Sequence, residues 1–326
     1  MMQSGPGTVS LAEIFGKTSE IEIARHSDRG VAPATGAPAP APGTAAVRIL
    51  RVGLDAGGEA DDRVAVEAPL EFQLHHPGLG AEPVSYGATM RTPGDDEWLA
   101  AGLLYGEAVI ESPADIDAIE VSTRRPNVVN IRLKPHVAVE GRIAERRFSA
   151  GSSCGVCGTT GLDATIARAA AARITGSARL ELPLLLDLPA RMRAEQARFG
   201  DTGGIHAAAL FDFRGNLIHL SEDVGRHNAF DKLVGERLLA GALPLIDHIV
   251  ILSGRASFEL VQKALRAGVS LVAAIGAPSS LAVNLATASG LTLIGFLRPR
   301  QCNVYSHPHR LAGTGANPTP SRISRD

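Results

Sequence analysis

His248-Ile249-Val250-Ile251-Leu252-Ser253-Gly254-Arg255-Ala256-Ser257 decides the fold. An apolar, β-branched run of strand length meets a Ser/Gly turn, and Phe258–Arg266 follows as a helix. The pattern then repeats. Val269–Ile275 is strand-like, ends at Gly276-Ala277-Pro278-Ser279-Ser280, and precedes a predicted helix over Leu281–Ala288. Leu291–Leu297 is strand-like and ends at Arg298-Pro299-Arg300-Gln301. Strand–helix repetition of this kind makes a parallel sheet with right-handed crossovers. The class is α/β.

Working outward, Ile205–Phe213 and Asn216–Leu220 form a candidate hairpin around Arg214-Gly215. Residues 47–150 read as a small α+β domain, with β-like runs at Val47–Val52, Val64–His75 and Val128–Leu133. One helix interrupts them: Thr92-Pro93-Gly94-Asp95-Asp96-Glu97 supplies start signals, and Trp98, Leu99, Leu103 and Leu104 follow at helical spacing. Residues 151–312 form the second, α/β domain; it opens with Cys154-Gly155-Val156-Cys157 and a capped helix, Thr160 and Asp163 preceding Ala164–Ile174. The Pro/Ala-rich stretch within 1–46 and the Pro/Ser/Arg/Thr-rich 313–326 are expected to be disordered tails.

The 326 residues carry 32 basic and 34 acidic side chains, which excludes a strongly basic nucleic-acid binder or a polybasic membrane protein. No run is apolar for long enough to span a bilayer. The start, Met1-Met2-Gln3-Ser4-Gly5-Pro6, lacks the basic-then-apolar order of a secretion signal. Three cysteines argue against a disulfide framework and for a reducing compartment, so the expected location is cytoplasmic.

In parallel sheets ligands sit beyond the carboxyl ends of the strands. The first two predicted strands end in Gly and Ser, which admit close backbone approach, and the first and third in Arg, whose fork suits phosphate oxygens. Two of the three ends open helices, whose N-termini attract anions. Arg255, Arg298 and Arg300 are therefore expected to converge on one sheet edge and hold a nucleotide-like ligand. No loop matches G-x-x-x-x-G-K-[ST] or G-x-G-x-x-G, so neither a Walker nucleotidase nor a standard dinucleotide dehydrogenase is indicated.

Cys154 and Cys157 lie between Gly151-Ser152-Ser153 and Gly158-Thr159-Thr160, so both sulfurs are expected within reach of a partner. Three chemistries compete. A zinc site needs two further ligands, and neither a second C-x-x-C nor an H-x₃₋₅-H pair supplies them; the deaminase H-x-E is also missing. Thioredoxin-like exchange wants the cysteines at a helix start, but Gly158–Gly161 intervenes. Sulfur relay needs only an accessible thiolate that takes a sulfane atom from a donor persulfide.

Taken together the motifs resemble one family, the formate dehydrogenase accessory sulfurtransferases, or FdhD family. They are Thr92-Pro93-Gly94-Asp95, Gly151-Ser152-Ser153-Cys154-Gly155-Val156-Cys157-Gly158, Thr202-Gly203-Gly204-Ile205-His206 and Glu222-Asp223-Val224-Gly225-Arg226-His227-Asn228-Ala229-Phe230-Asp231-Lys232. Ser253-Gly254-Arg255-Ala256-Ser257-Phe258-Glu259, Ala277-Pro278-Ser279-Ser280-Leu281 and Gly295-Phe296-Leu297-Arg298 through His307-Pro308 complete the set, covering about residues 47–312.

The resemblance implies a sulfur carrier between a cysteine desulfurase and molybdenum cofactor destined for formate dehydrogenase. The cofactor would be the molybdopterin bis(guanine dinucleotide) form, bound as a client, with no resident metal. Cys154 matches the persulfide cysteine and Cys157 its partner. Phe296, Leu297, Arg298, Pro299, Arg300 and Gln301 match the cofactor-binding stretch. The implied fold pairs a small α+β domain with a layered α/β domain resembling cytidine deaminases; a homodimer is left open. A cofactor-binding chaperone without sulfur chemistry and a zinc-stabilised nucleotide-binding protein are the alternatives. Two departures stand out: Arg300-Gln301 where relatives commonly carry Gly-Arg, and Ala108 where a Gly is usual.

Among other candidates, His206 and His227 could tune a thiolate or orient the cofactor. Equally, His206 could open a strand while Asp223 and Asn228 cap a helix. Cys302 reads as a small buried or half-buried side chain.

Overall fold

Pro42 and Gly43 form a turn, after which β1 (Thr44–Arg51) pairs antiparallel with β2 (Gly58–Ala65). The computed structural model describes residues 41–53, 57–139 and 178–313. Residues 44–46, expected in the N-terminal tail, belong to β1 instead, held by pairing with β2; residues 1–40 and 314–326, the Cys154–Cys157 loop and the helix expected over Ala164–Ile174 lie outside the described residues.

The run Val64–His75 is not one strand. It divides into the end of β2 and β3 (Ala68–His75), because β2 belongs to the two-stranded sheet and β3 to another. The Val66 N–H donates to Gly43 O (2.8 Å) at the break. That second sheet contains β4 (Val84–Arg91), β5 (Ile116–Val121) and β6 (Val128–Leu133) in the order β4-β3-β6-β5. Helix α1 (Asp96–Gly106) begins where the acidic first turn placed it and buries Leu99 and Leu104.

The second half starts with β7 (Leu180–Glu181), α2 (Leu182–Glu195) and α3 (Ala197–Thr202). The sequence reading had no helix over α2, since Pro189 sits inside it and Pro183 in its first turn. Then come the hairpin β8 (His206–Asp212) and β9 (Leu217–Asp223), helix α4 (Arg226–Leu239), β10 (His248–Leu252), α5 (Phe258–Arg266), β11 (Leu271–Ala274), α6 (Ser280–Ser289), β12 (Thr292–Arg298) and β13 (Gln301–Ser306). A two-residue strand, β14 (Leu311–Ala312), pairs with β7.

The large sheet has the order β13-β12-β11-β10-β8-β9. β10, β11 and β12 are parallel, as the repeated strand–turn–helix pattern requires, and β8, β9 and β13 are antiparallel flanks. Alternation along β10 sorts its side chains to two cores. Ile249 and Ile251 pack with Leu185, Leu188 and Met192 of α2; Val250 and Leu252 pack on the α4–α5–α6 side. Burial on both faces is why the strand reads as a continuous apolar run.

The core on the α4 side continues without a break into Leu70, Phe72 and Ile131 of the four-stranded sheet. Helices α1 and α4 make that junction by backbone contact. A Cβ on Gly102 would lie 1.8 Å from Asp231 O, and one on Gly235 would lie 1.8 Å from Trp98 O. Only glycine permits the approach.

Polar groups buried at the same junction are paired. Arg91 donates to both carboxylate oxygens of Asp96, at 2.9 and 2.8 Å. Lys232 Nζ lies 2.8 Å from Asp223 Oδ2 and donates to Thr92 O, also at 2.8 Å. Lys263 Nζ meets Asp231 Oδ1 and Oδ2 at 2.8 and 2.6 Å. Burial pushes the Asp231 carboxyl up to about 6, against the pull of Lys263. Against the desolvation of its ammonium, the Asp231 charge holds Lys263 above its ordinary range. Desolvation makes such pairs expensive to break.

Candidate functional site

The topology brings six chain segments to one edge. β10, β11 and β12 end there; β8 runs antiparallel to β10, so its first residue, His206, starts there, and β9 returns there at Asp223. The start of α4 follows. Backbone hydrogen bonds lace the strand exits side by side: Gly276 N–H donates to Gly254 O (2.8 Å), and Phe296 N–H to Gly276 O (3.0 Å). A side chain on Gly276 would collide with that Gly254 oxygen, 2.8 Å from its Cβ position.

Of the expected cofactor stretch, Phe296, Leu297 and Arg298 end β12, and Pro299-Arg300 is the two-residue turn into Gln301 of β13. A register shift between Gly295 and Arg298 marks a bulge there, and Phe296 sits in it at φ 51°. A left-handed aromatic residue is strained by roughly 1–2 kcal/mol. Bulges re-aim side chains at sheet rims. Phe296 is 42 % exposed, whereas Leu297, at 1 %, packs in the α2-side core. Arg298, Arg300 and Gln301 are exposed. Arg298 Nη1 donates to Ile275 O (2.6 Å) and Leu297 O (2.9 Å), which ties the β12 exit to that of β11.

Arg255 is exposed on the neighbouring exit loop. The three loops thus share one edge, as expected from the strand-end pattern. Cys154 and Cys157, the expected sulfur-handling residues, lie outside the described residues. Cys302 is half-buried in β13, and burial raises its thiol pKa, which suits a packing role better than a nucleophilic one. Among the described residues no group of three His, Cys, Asp or Glu side chains is arranged to hold a metal ion.

The histidines weighed from sequence turn out to be neighbours. His206 opens β8, and its Nδ1 lies 3.4 Å from Ser253 Oγ, which also accepts from the Ala207 N–H at 2.8 Å. His227 Nε2 is 3.2 Å from Ser257 Oγ and 3.4 Å from Glu259 Oε2. Burial is the main cause that lowers both imidazole pKa values, with Arg226 pressing the same way. Asp223 and Asn228 do organise the turn before α4: Asp223 Oδ1 accepts from Gly225 N–H (2.8 Å) and from Asn228 Nδ2 (3.1 Å). Glu222 accepts from the Arg198 and Phe199 N–H groups at 3.0 and 2.9 Å and so anchors the start of α3.

Arg226 and Glu259 are assigned no role at this edge from sequence, and Ser253 and Ser257 only that of turn residues that admit close backbone approach. The sequence signal for Arg226 was a basic pair at a helix start, where acidic residues are preferred.

Two shallow depressions, of about 390 and 490 Å³, lie on the four-stranded sheet beside Ala88 and Arg125 and beside His75 and Lys134. They hold none of the expected site residues. No helix among the described residues is long and apolar enough to cross a membrane.

Comparison with known proteins finds relatives over most of the chain. A family model described as FdhD/NarQ matches residues 65–312. A protein of Streptomyces avermitilis named sulfur carrier protein FdhD is 45% identical over 273 residues, covering 81% of this chain and 94% of that one. One of the same name from Picrophilus torridus is 42% identical over 250 residues, covering 77% and 92%. The crystal structure of a candidate formate dehydrogenase accessory protein from Desulfotalea psychrophila superposes with a TM-score of 0.63 at 24% identity, over 83% of this chain and all of that one, and shares the fold. The chain belongs to the FdhD/NarQ family.

Proposed function

We propose that this protein is a cytoplasmic sulfur carrier for formate dehydrogenase, passing sulfur from a cysteine desulfurase to a molybdenum cofactor in its bis(guanine dinucleotide) form. The observation that carries the reading is the row of exits Gly254, Gly276 and Phe296, with Phe296 and Arg298 exposed at its end. Relatives that match over most of their length are named sulfur carriers. An exposed aromatic ring offers a face for a guanine, and Arg298 and Arg300 offer charge to phosphates.

The sulfur step needs a thiolate and a donor persulfide. Cys154 attacks the donor's terminal sulfur; the donor S–S bond breaks, the donor leaves as a thiolate, and Cys154 becomes the persulfide. Once the acceptor is in place, attack by Cys157 on the Cys154 sulfur forms a disulfide and expels the outer sulfur as hydrosulfide. The two thiols supply the two electrons that reduce the sulfane atom.

Incubation with a cysteine desulfurase and free cysteine is expected to add one reducible sulfur to the protein, read by intact mass. Cys154→Ala abolishes it; equal loading of that variant overturns the assignment. Arg298→Ala weakens GDP binding about tenfold, the order of one charge-assisted hydrogen bond. Retention of formate dehydrogenase activity in a strain carrying Cys154→Ala/Cys157→Ala would favour a cofactor chaperone instead.

A further inference from the structure

The four-stranded sheet has a parallel pair of its own, β3 and β6, with His75 opposite Arg132 in register. Both strands run out at the larger of the two depressions, about 490 Å³, which His75, His76, Asp117, Arg132 and Lys134 line. Pro77 and Pro135 stiffen the two exits, the first in a short helical turn over Pro77–Leu79. The sulfur-carrier chemistry proposed above uses no residue of this sheet.

His76 is the informative wall residue. It is 9 % exposed, and its Nδ1 accepts from the Gly78 N–H at 3.1 Å, which leaves the ring proton on Nε2. Nε2 is shielded from solvent and has no hydrogen-bond partner among the described residues. A buried donor without an acceptor is costly, so an oxygen brought to it from the depression is favoured. Charge points the same way. Lys134 is bonded to Asp117 and holds that carboxyl below its ordinary range. Arg132 reaches Asp117 only at 3.7 Å, and its side chain is 55 % exposed. The wall thus carries two cations and one carboxylate, with Lys134 engaged and the Arg132 fork turned to little. His75 Nε2, 3.3 Å from Asn130 Oδ1, is already occupied.

We propose that this depression seats a carboxylate side chain from an acidic segment of a partner protein, held by the Arg132 fork and the His76 Nε2–H. The surplus positive charge selects an acid over an amide. A guanidinium and a fixed N–H donor on one wall match the two oxygens of a single carboxylate. Small-molecule sites enclose most of their ligand, and this one is shallow. A free acid would stay largely hydrated in it, whereas a side chain on a partner is held by the contacts around it. The site is independent of where sulfur is carried.

The test is an NMR titration of the full chain, isotope-labelled at histidine, with the His76 resonance identified by its loss in His76→Asn. The probes are the end-capped peptides Gly-Gly-Glu-Gly-Gly and Gly-Gly-Gln-Gly-Gly, and free propionate. The Glu peptide is expected to bind saturably and shift the His76 resonance, with the Gln peptide and propionate each at least tenfold weaker. Arg132→Gln, at an exposed position that the fold does not need, should weaken the Glu peptide about tenfold. His76→Asn can still accept from Gly78 but lacks the Nε2 donor, and should weaken it by a similar factor. A His76 resonance that ignores the Glu peptide overturns the site, as does wild-type affinity in Arg132→Gln. Equal binding of the Glu and Gln peptides overturns the carboxylate, and propionate binding as tightly as the Glu peptide overturns a protein partner.

Discussion

The α1–α4 junction and the edge formed by the strand exits treat charge in opposite ways, although one segment, Glu222–Lys232, feeds both. At the junction Asp223, Asp231 and Lys232 are all at most 2 % exposed, and each has a partner of opposite charge within 2.8 Å. At the edge Arg226 has none among the described residues, and Arg298 and Arg300 are exposed. A stretch that reads in sequence as one functional motif is thus partly a fastener and partly a candidate site. The helix sorts them: Asn228, Asp231 and Lys232 fall on the buried side of α4, and Arg226 and His227 are left at its open end.

The sharpest way to break the junction is Gly235→Val. Its Cβ would sit 1.8 Å from Trp98 O, so two backbones must part. A loss above about 4 kcal/mol is expected, seen as a chain without a cooperative melt. An unchanged melting curve would mean that the helices do not touch there.

Removing one partner of the buried pair comes next. Asp231→Ala leaves the buried Lys263 with Glu259, at 3.5 Å, as its nearest acid, and should cost about 3–5 kcal/mol in denaturant unfolding. The Asp231→Leu/Lys263→Met double variant should recover a large part of that loss. At the opposite pole Arg300→Ala should shift stability by less than about 0.5 kcal/mol, because its side chain is exposed at a turn tip. A destabilisation by Arg300→Ala comparable to that of Asp231→Ala would erase the contrast between the regions.

The smallest effect is a gain. Ala108 ends α1 at φ 59°, and its N–H donates to Tyr105 O at 2.9 Å. A left-handed position after a helix favours glycine, which explains physically why the alanine stood out from the family pattern. Ala108→Gly should stabilise the protein by about 1 kcal/mol, read as a higher melting temperature. A drop instead would show that the alanine methyl is worth more in packing than the strain it carries.

Much of the fold was legible because its strongest signals are local. β10 and α5 occupy the bounds that apolar runs and turn residues indicated, and the hairpin β8–β9 differs by a few residues at its ends. Helix α2 was hidden by Pro183 and Pro189, whose effect depends on what packs around them. β2 and β3 read as one strand because no local rule says which sheet a residue will join. The cofactor stretch was legible as chemistry, Arg after a strand, but the exposure of Phe296 was not, since it follows from a bulge against β13.

By itself the amino-acid order determined the α/β class, the parallel triplet β10–β12, the C-x-x-C pair and the family. These depend on periodicity, turn chemistry and residue type, all written within a few neighbours. Tertiary structure alone decided that Gly102 and Gly235 meet, that Asp231 pairs with Lys263, and that His206 and Arg226 flank Gly254. Those contacts join residues 20 or more positions apart, up to 133 between Gly102 and Gly235, and only the packing of sheets and helices brings such distant groups within bonding range.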